Sequence, residues 1–492
     1  MSQVIKTQLL NHCMLSVECD RGVSAELSDY FSFYVPGYKF MPAFRHKVWD
    51  GKIRLFNQLT GELNAGLYIY LLKFAIERGY LVETNRNDWG LPGDKKELDL
   101  HRFNSFVEAL DLPFLPRDYQ YEAVVKGIQR RRTILLSPTG SGKSLIIYML
   151  MKWVLQEDTK SVLIVVPTTS LVEQMYSDFK DYGMNVADEV HRIYSGKDKV
   201  TKKRIIVSTW QSIYKFPKAW FAKFGMVVGD ECHGFKSKSL SSIMNKCENA
   251  EYRYGTTGTL DGTQTHKLVL EGLFGPVVKV TSTKKLQDDE TLAPLNISIL
   301  LLDYPEDVKK NFGQRNYQDE IDWIVGNNNR NKFIRNLALD VSGNTLVLFR
   351  LVDHGKLIFN LIKEKSEEKR KIFFVSGETD TRDREQIRKI VEKQKNAIIV
   401  ASLGTFSTGI NIRNLHNIIF ASPSKSQIRV LQSIGRGLRK TDDGKSTHLY
   451  DIADDLSWKK RKNFTLTHSG ERIKIYNKEQ FEYKTIRVQI NG

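Results

Sequence analysis

The segment that most constrains the fold is TILLSPTGSGKSLIIYML, which runs from Thr133 to Leu150. An apolar, β-branched run leads into a glycine-containing loop, and the residues after the loop favour a helix. This order of strand, loop and helix is typical of a phosphate-binding loop. Gly140 and Gly142 allow a tight turn in which backbone N–H groups point at phosphate oxygens.

The polar residues of the loop extend this interpretation. Thr139 precedes Gly140, and Ser141 lies between Gly140 and Gly142. We expect both residues to lie next to the phosphates. Lys143 is expected to reach the β- and γ-phosphates, and the Ser144 hydroxyl to bind Mg²⁺. The strict pattern has glycine where this chain has Ser137. A surface turn rich in glycine and serine is the alternative. Motifs elsewhere in the chain are needed to distinguish it from a phosphate-binding loop.

A pair of carboxylates supports the phosphate-binding interpretation. The apolar run Met226–Val228 is followed by Asp230-Glu231-Cys232-His233. Two acids at the end of a buried strand are typical of a site that binds Mg²⁺ with one and activates water with the other. Asp230 is therefore expected to hold the metal and Glu231 to orient and deprotonate the attacking water. A solvated surface pair is the alternative.

A third motif lies near the carboxyl-terminal end, in Gln432–Arg439. Arg436 and Arg439 are three residues apart and so share one face of a helix. Arginine placed at a γ-phosphate stabilises the charge of the transition state. An exposed basic face is the alternative for such a pair when it is taken alone.

Together these motifs resemble a superfamily 2 helicase with two RecA-like lobes, over about residues 110 to 455. In that group the first glycine of the phosphate-binding loop is commonly replaced, and the ordered set is more specific than any member. The DECH signature leans away from the common RNA helicases. Further segments that carry the resemblance are Leu115–Ala123, Val165–Gln174, Val207–Ile213, Thr257–Thr259, Asn344–Phe349 and Ala401–Ile412.

The resemblance implies roles for individual residues. Those expected to contact the nucleotide, besides the phosphate-binding loop, are Arg117, Gln120 and Gly409. Those expected to couple hydrolysis to the grip on nucleic acid are His233, Thr257, Thr259 and Gln432. Those expected to contact a nucleic-acid strand within the first lobe are Thr168 and Thr209.

The two ends of the chain resemble the UvsW family of recombination helicases from T-even bacteriophages. The matching segments are Lys47–Asn57, Thr60–Leu67 and Lys462–Tyr476. That family implies an ATP-driven, Mg²⁺-dependent DNA motor in recombination, repair and replication. Its substrates would be branched DNA: forks, four-way junctions, displacement loops and RNA–DNA loops.

Charge agrees with a polyanionic partner. The formal net charge is +17 over 492 residues, which favours nucleic acid, although a merely basic protein would share it. Residues 1–100 carry twelve Lys/Arg and twelve Asp/Glu. The positive excess therefore lies in the lobes, where the main nucleic-acid track is expected.

Strand and helix patterns predict an α/β protein in which two RecA-like parallel-sheet lobes follow a small α/β amino-terminal domain. The polar stretch Asp88–Asp99 is interpreted as a linker, and Leu67–Tyr80 as a helix ended by Gly79. The predicted domains are a nucleic-acid-binding domain at 1–95, lobe one at 96–290, and lobe two with a basic carboxyl-terminal segment at 291–492.

The amino-terminal domain also carries a segment, Phe44–Arg54, in which basic and aromatic residues alternate. This pattern suits phosphate contact combined with base stacking, and a solvated hairpin face is an equal alternative. The residues expected to touch nucleic acid there are Arg45, Lys47, Lys52 and Arg54.

Other functions remain open at this point. An RNA helicase and the motor subunit of a restriction-type complex share many of these motifs. The four cysteines lack metal-site spacing, and no apolar run reaches membrane-spanning length. We therefore expect a cytoplasmic protein, in the host cytoplasm if it is viral, that acts as a monomer.

Overall fold

The computed structural model describes residues 3–84, 97–195, 198, 200–235, 237–260, 263–289, 292–366, 370–405, 414–422 and 446–490. The chain divides into two compact units. The first comprises Met1–Ser137 and Gly142–Val280. The second comprises Thr281–Gly492 together with the loop residues Pro138–Ser141. Among the described residues, no helix combines the length and the apolar composition needed to cross a membrane.

The amino-terminal part of the first unit is a mixed five-stranded sheet with helices, and a separate two-stranded ribbon, β3–β4. Its sheet order is β5-β6-β2-β1-β7, with β1 antiparallel to β2 and parallel to β7. Its elements are β1 (Val4–Leu9), β2 (Met14–Glu18), α1 (Arg21–Tyr30), β3 (Ser32–Tyr34), α2 (Pro42–Arg45), β4 (Lys52–Arg54), β5 (Phe56–Asn57), β6 (Glu62–Asn64), α3 (Tyr68–Arg78) and β7 (Leu81–Thr84).

Local sequence explains these elements. In β1 and β2 the buried and exposed side chains alternate, which places one face of the sheet on the core. The Asp20 side chain accepts a hydrogen bond from the backbone N–H of Val23 and begins α1. Helix α3 ends at Gly79, whose φ of 71° few other residues adopt. The predicted helix at Leu67–Tyr80 is confirmed, and strands β4 and β5 are separated by Leu55.

The rest of the first unit is a seven-stranded sheet in which every described pairing is parallel. Its order is β10-β11-β9-β12-β13-β8-β14. The elements are α4 (Leu100–Ala109), α5 (Asp118–Arg130), β8 (Arg132–Leu136), α6 (Lys143–Glu157), β9 (Ser161–Val166), α7 (Thr169–Asp181), α8 (Val186–Glu189), β10 (Val190–Ile193), β11 (Ile205–Thr209), α9 (Trp210–Ile213), α10 (Lys218–Phe221), β12 (Phe224–Asp230), α11 (Lys238–Lys246), β13 (Tyr252–Thr257), α12 (Gln264–Phe274) and β14 (Val277–Lys279).

The amino-terminal part packs directly on this sheet's helices. Gly66 approaches α12 so closely that a side chain there would collide with the Glu271 backbone carbonyl. The Tyr70 hydroxyl donates to the Glu271 carboxylate. The Cys13 thiol donates to the carbonyls of Met244 and Cys247, at 3.4 Å each. The two parts of the first unit therefore share a structured interface.

The second unit is another seven-stranded sheet whose described pairings are all parallel, in the order β17-β18-β16-β19-β20-β15-β21. Its elements are α13 (Thr283–Asp288), β15 (Leu295–Asp303), α14 (Glu306–Phe312), α15 (Tyr317–Gly326), α16 (Asn328–Asp340), β16 (Thr345–Phe349), α17 (Val352–Lys365), β17 (Ile372–Val375), α18 (Thr381–Glu392), β18 (Ile398–Ser402), β19 (Asn417–Phe420), β20 (Thr447–Asp455), α19 (Phe464–Lys478) and β21 (Tyr483–Gln489).

Among the described residues of this unit, two ion pairs are fully buried, Arg330 with Asp454 and Arg472 with Asp451. Each pairs an acid of β20 with an arginine on a helix, and such pairs fix the register of their elements because breaking one leaves a buried charge. The predicted fold class, two parallel-sheet lobes preceded by a small α/β region, is confirmed.

Candidate nucleotide site and nucleic-acid surfaces

Three neighbouring strands bring the predicted hydrolysis motifs together. Strand β13 lies between β12 and β8, and all three run parallel. In register, Asp230 faces Thr256, and Thr257 faces Leu136, the last residue before the phosphate-binding loop. Ligands of parallel sheets bind at the carboxyl ends of the strands. We call the ends of β8, β12 and β13 the nucleotide edge.

The glycines of the loop have the backbone that phosphate binding requires. Gly140 and Gly142 have φ of 85° and 75°, in the left-handed region. A side chain on Gly142 would also collide with the Gln120 amide. Helix α6 begins at Lys143 without a side-chain cap. The positive end of the helix dipole at this turn favours the binding of an anion.

Lys143 lies back against its own loop. Its Nζ donates to the Ser137 carbonyl at 3.2 Å. The Ser137 N–H in turn donates to the Thr257 carbonyl at 2.9 Å, across to β13. Ser137 is completely buried. The residue that departs from the strict glycine pattern thus connects the loop to the neighbouring strand.

Asp230 is a buried carboxylate in an unusual electrostatic setting. Burial and the nearby Glu231 charge raise its pKa, while Lys143 and the Thr256 hydrogen bond act in the opposite direction. The Thr256 hydroxyl donates to Asp230 Oδ1 at 2.7 Å. Sequence reasoning did not single out Thr256, although its position beside Thr257 in a strand could have indicated it.

Glu231 has a backbone that side chains rarely adopt. Its φ and ψ are 49° and 48°, the left-handed region for a residue other than glycine. The His233 ring lies 3.4 Å from its carboxylate. His233 Nδ1 also lies 3.0 Å from the Thr257 hydroxyl, which donates to the Thr259 carbonyl at 2.9 Å. The predicted coupling residues of the first lobe therefore form one chain that begins at Glu231.

Ser144 makes a contact that sequence reasoning missed. Its hydroxyl lies 2.9 Å from the Tyr182 hydroxyl. Burial raises the pKa of Tyr182 to about 12, so the phenol stays protonated at neutral pH. The Tyr182 ring also meets the Phe114 ring edge-on, with centroids 5.8 Å apart. No sequence pattern connects Ser144 with a tyrosine 38 residues away.

The predicted nucleotide contacts Arg117 and Gln120 lie at the start of α5. Gln120 is buried, and its Oε1 accepts from the Arg117 N–H at 2.9 Å. Arg117 Nη1 donates to the Tyr119 hydroxyl at 3.1 Å. Gln120 and Arg117 therefore fix each other's position next to Gly142.

The donor set at the nucleotide edge fits Mg²⁺ held together with a nucleotide. Mg²⁺ binds oxygen, commonly one or two carboxylates with phosphates and water. Asp230 supplies a buried carboxylate, and Ser144 supplies a hydroxyl at the first turn of α6. The backbone N–H groups and Lys143 supply the positive potential that polyphosphate needs.

The residues of lobe one that are predicted to contact a nucleic-acid strand lie at the ends of two adjacent β-strands, β9 and β11. Thr168 follows β9 and caps α7, its side chain accepting from the Leu171 N–H. Thr209 ends β11, directly paired with Val166 of β9. The Thr209 hydroxyl lies 2.9 Å from that of Ser212. Both threonines therefore lie at the carboxyl edge of the same sheet.

In the amino-terminal domain the four predicted basic contacts differ from one another. Arg45 and Lys47 are exposed and form no ion pair with any described residue. Lys52 lies over the Tyr34 ring, with Nζ 5.2 Å from the centroid. Arg54 pairs with Asp50.

Four predicted site residues, Gly409, Gln432, Arg436 and Arg439, lie outside the described residues. In the basic carboxyl-terminal segment of lobe two, Arg461 donates to the Lys309 carbonyl at 2.7 Å. It also lies against the Phe312 ring, so it has a structural role within the second unit.

Comparison with known protein families yields three matches. Residues 113–262 match the res subunit of type III restriction enzymes, and 329–441 match the helicase conserved C-terminal domain. Residues 4–85 match the N-terminal domain of the DNA helicase UvsW. The ATP-dependent DNA helicase UvsW of Enterobacteria phage T4 is 37% identical over 98% of this chain and all of the phage protein.

The chain belongs to the UvsW helicase family. A crystal structure of T4 UvsW matches with a TM-score of 0.52 and 35% identity, covering 99% of this chain and 100% of that one. Like other UvsW helicases, the protein is an ATP-dependent enzyme that acts on nucleic acid.

More distant relatives share the motor. The DNA 3′–5′ translocase XPB2 of Sulfurisphaera tokodaii is 25% identical, over 83% of this chain and 91% of the relative. A type I restriction HsdR fragment from Vibrio vulnificus matches with a TM-score of 0.57 at 17% identity, covering 77% of this chain and 70% of that one. At that identity the likeness shows the two-lobed fold alone.

Proposed function

We propose that this protein is an ATP-driven DNA motor that remodels branched DNA in recombination, repair and replication restart. Its substrates would be forks, four-way junctions, displacement loops and RNA–DNA loops, and it would act as a monomer. The observation that carries the proposal is similarity to T4 UvsW along the whole chain, including the amino-terminal domain at residues 4–85. A generic motor would need the two lobes but not that domain.

The chemistry rests on the nucleotide edge. Lys143 would stabilise the charge on the β- and γ-phosphates. Asp230 and Ser144 would hold Mg²⁺, which would supply positive charge to stabilise the negative charge that develops on the phosphates. Glu231, strained and beside His233, would orient the attacking water and accept its proton. Arg436 and Arg439 of the second lobe would stabilise charge on the transferred phosphoryl group.

Coupling would begin at the same carboxylate. The contacts run from Glu231 through His233 to Thr257 and Thr259. Through them, a change at the γ-phosphate would be transmitted to β13. Thr168 and Thr209 would contact the strand at the same edge of this sheet. Because Glu231, His233, Thr257 and Thr259 contact one another in turn, hydrolysis would alter these contacts and so shift the grip on one strand.

Tyr182 would position Ser144. If the Ser144 hydroxyl donates its proton to Tyr182, a lone pair is left for the metal. The tyrosine is buried and neutral, so it cannot compete with Asp230 as an anionic ligand. It would therefore orient the serine without binding the metal itself.

The test is unwinding of matched substrates with ATP: a fork, a four-way junction, an RNA–DNA loop, and a linear duplex of DNA or RNA. The proposal expects all branched substrates to be processed faster than linear duplexes. Preference for linear RNA duplex would make the protein an RNA helicase. ATP turnover on every duplex without unwinding or branch migration would favour a restriction-type motor.

A further inference from the structure

Residues 34–54 form a compact outgrowth of the amino-terminal domain, which we call the aromatic–basic segment. It begins in β3, passes through a 3₁₀ turn at Tyr38–Phe40 and the short helix α2, and returns in β4. Strands β3 and β4 pair only with each other among the described strands. The segment thus stands apart from the five-stranded sheet.

The segment is held by its own aromatic cluster. The Tyr34 and Tyr38 rings stack with centroids 4.6 Å apart, and Phe44 meets Tyr38 edge-on at 4.8 Å. The Trp49 indole donates to the Lys52 carbonyl at 2.8 Å. Gly51 has φ of 83°, and a side chain there would collide with the Tyr38 ring. The backbone of the segment is therefore well defined.

Part of the exposed surface of the segment is apolar. Phe40 is 76% exposed, Val48 82% and Met41 38%. Single exposed apolar side chains are ordinary, but here three of them occur within nine residues of one short segment. We call Phe40, Met41 and Val48 the apolar tip.

The charges around the tip point to a polyanion. Residues 34–54 contain five Lys/Arg and one Asp, although residues 1–100 as a whole are balanced at twelve each. Arg45 and Lys47 lie between Met41 and Val48 in the chain and are exposed. Exposed apolar side chains that alternate along the chain with exposed basic ones match a nucleic acid, which presents stacked bases next to phosphates.

We propose that the apolar tip packs against the terminal base pair at a DNA branch point, while Arg45 and Lys47 hold the flanking phosphates. This inference rests on the proposed function, because it needs a branched substrate. Within a continuous duplex an apolar wedge must first unstack two base pairs. At a branch the last pair already presents an open face, so the tip would favour branches over regular duplex without reading sequence.

The test uses the full chain and forks that carry 2-aminopurine either at the branch or ten pairs inside the duplex arm. The double variant Phe40→Ala/Val48→Ala is compared with Leu59→Ala, which removes an apolar side chain that is 97% exposed in the same domain but outside the segment. For the wild type and Leu59→Ala, we expect binding to dim only the branch probe, because packing against the terminal pair covers its open face and keeps it stacked. For the double variant we expect no dimming and a loss of about tenfold in fork affinity, a typical effect of losing base stacking.

Turnover of ATP stimulated by single-stranded DNA should be the same in all three proteins, and their thermal unfolding should coincide. Were the double variant unfolded, Phe40→Trp would carry the test, because its indole should be quenched by a fork and not by a blunt duplex. A double variant that still dims the branch probe, or a Phe40→Trp indole that a fork leaves unquenched, would overturn the inference and leave the proposed function standing.

A wild-type protein that binds forks no better than linear duplex would instead overturn the proposed function, and this inference with it. An unchanged DNA response in the folded double variant would also assign the tip to another class of partner, such as a protein.

Discussion

The nucleotide edge and the aromatic–basic segment differ in which kind of side chain is buried and which is exposed. At the nucleotide edge, polar groups are buried and bonded to one another, as Asp230 is to Thr256 and Ser137 to Thr257. In the segment, apolar groups are exposed and basic groups face solvent. Buried polar networks fix a single geometry because each unsatisfied group is costly. Exposed apolar groups, in contrast, can still form packing contacts with a binding partner.

The difference separates chemistry from recognition. Changes at the nucleotide edge should abolish turnover on every nucleic acid. Changes in the segment should alter which nucleic acid is favoured and leave basal turnover intact. Variants of the two regions therefore test whether the division is real.

The largest effect is expected from Glu231→Gln and Lys143→Ala. Removing a group that acts on the water or on phosphate charge should lower kcat by about 10²-fold or more. DNA binding and thermal unfolding should stay close to wild type, because neither side chain belongs to a hydrophobic core. Lys152→Ala, in the same helix α6 but away from the loop, is the matched control. Turnover within a few-fold of wild type in Glu231→Gln would remove that residue from the chemistry.

Thr256→Val should have the next largest effect. It removes a hydrogen bond that lowers the pKa of Asp230, while burial continues to raise that pKa. The carboxylate would then become protonated at a higher pH as the pH falls, so the acid limb of the kcat profile should move upwards. Loss of a hydrogen bond to a charged group corresponds to about tenfold or more in the affected equilibrium. An unmoved acid limb would mean that Asp230 does not control the profile.

Much of the nucleotide edge could be predicted from sequence because its motifs are local. Gly142, Lys143 and Ser144 follow a strand, and parallel strands deliver their carboxyl ends to one edge. The sequence could not show that Gln120 lies against Gly142, or that Tyr182 meets Ser144, because these contacts depend on how α5 and α7 pack.

The aromatic–basic segment was predicted less completely. The alternation of basic and aromatic residues suited a nucleic-acid contact. It gave no reason to distinguish Lys52 and Arg54 from Arg45 and Lys47. The structure separates them, since Arg54 pairs with Asp50 and Lys52 lies over Tyr34. The exposure of Phe40 and Val48 could not be predicted, since a phenylalanine in a domain of this size is ordinarily expected in the core.

Tyr182→Phe should have a smaller effect. It keeps the ring that packs on Phe114 and removes the hydroxyl that contacts Ser144. Loss of one neutral hydrogen bond should raise the Mg²⁺ concentration for half-maximal turnover about three- to tenfold. Turnover at saturating Mg²⁺ should change little. Tyr148→Phe, whose ring also meets Tyr182, is the control. Equal Mg²⁺ requirements in both variants would refute a positioning role.

The division between chemistry at the nucleotide edge and recognition by the aromatic–basic segment is tested most directly by one ratio, that of ATP turnover on a fork to ATP turnover on single-stranded DNA. The ratio is measured at matched salt for the variant Arg45→Gln/Lys47→Gln. These residues are exposed and unpaired with described groups, so their change should leave the segment folded. Our expectation is that the ratio falls towards one while turnover on single-stranded DNA is unchanged. The fall of log fork affinity with log salt should become shallower by about one unit per lost contact. Equal loss on both substrates, or an unchanged ratio and slope, would contradict it.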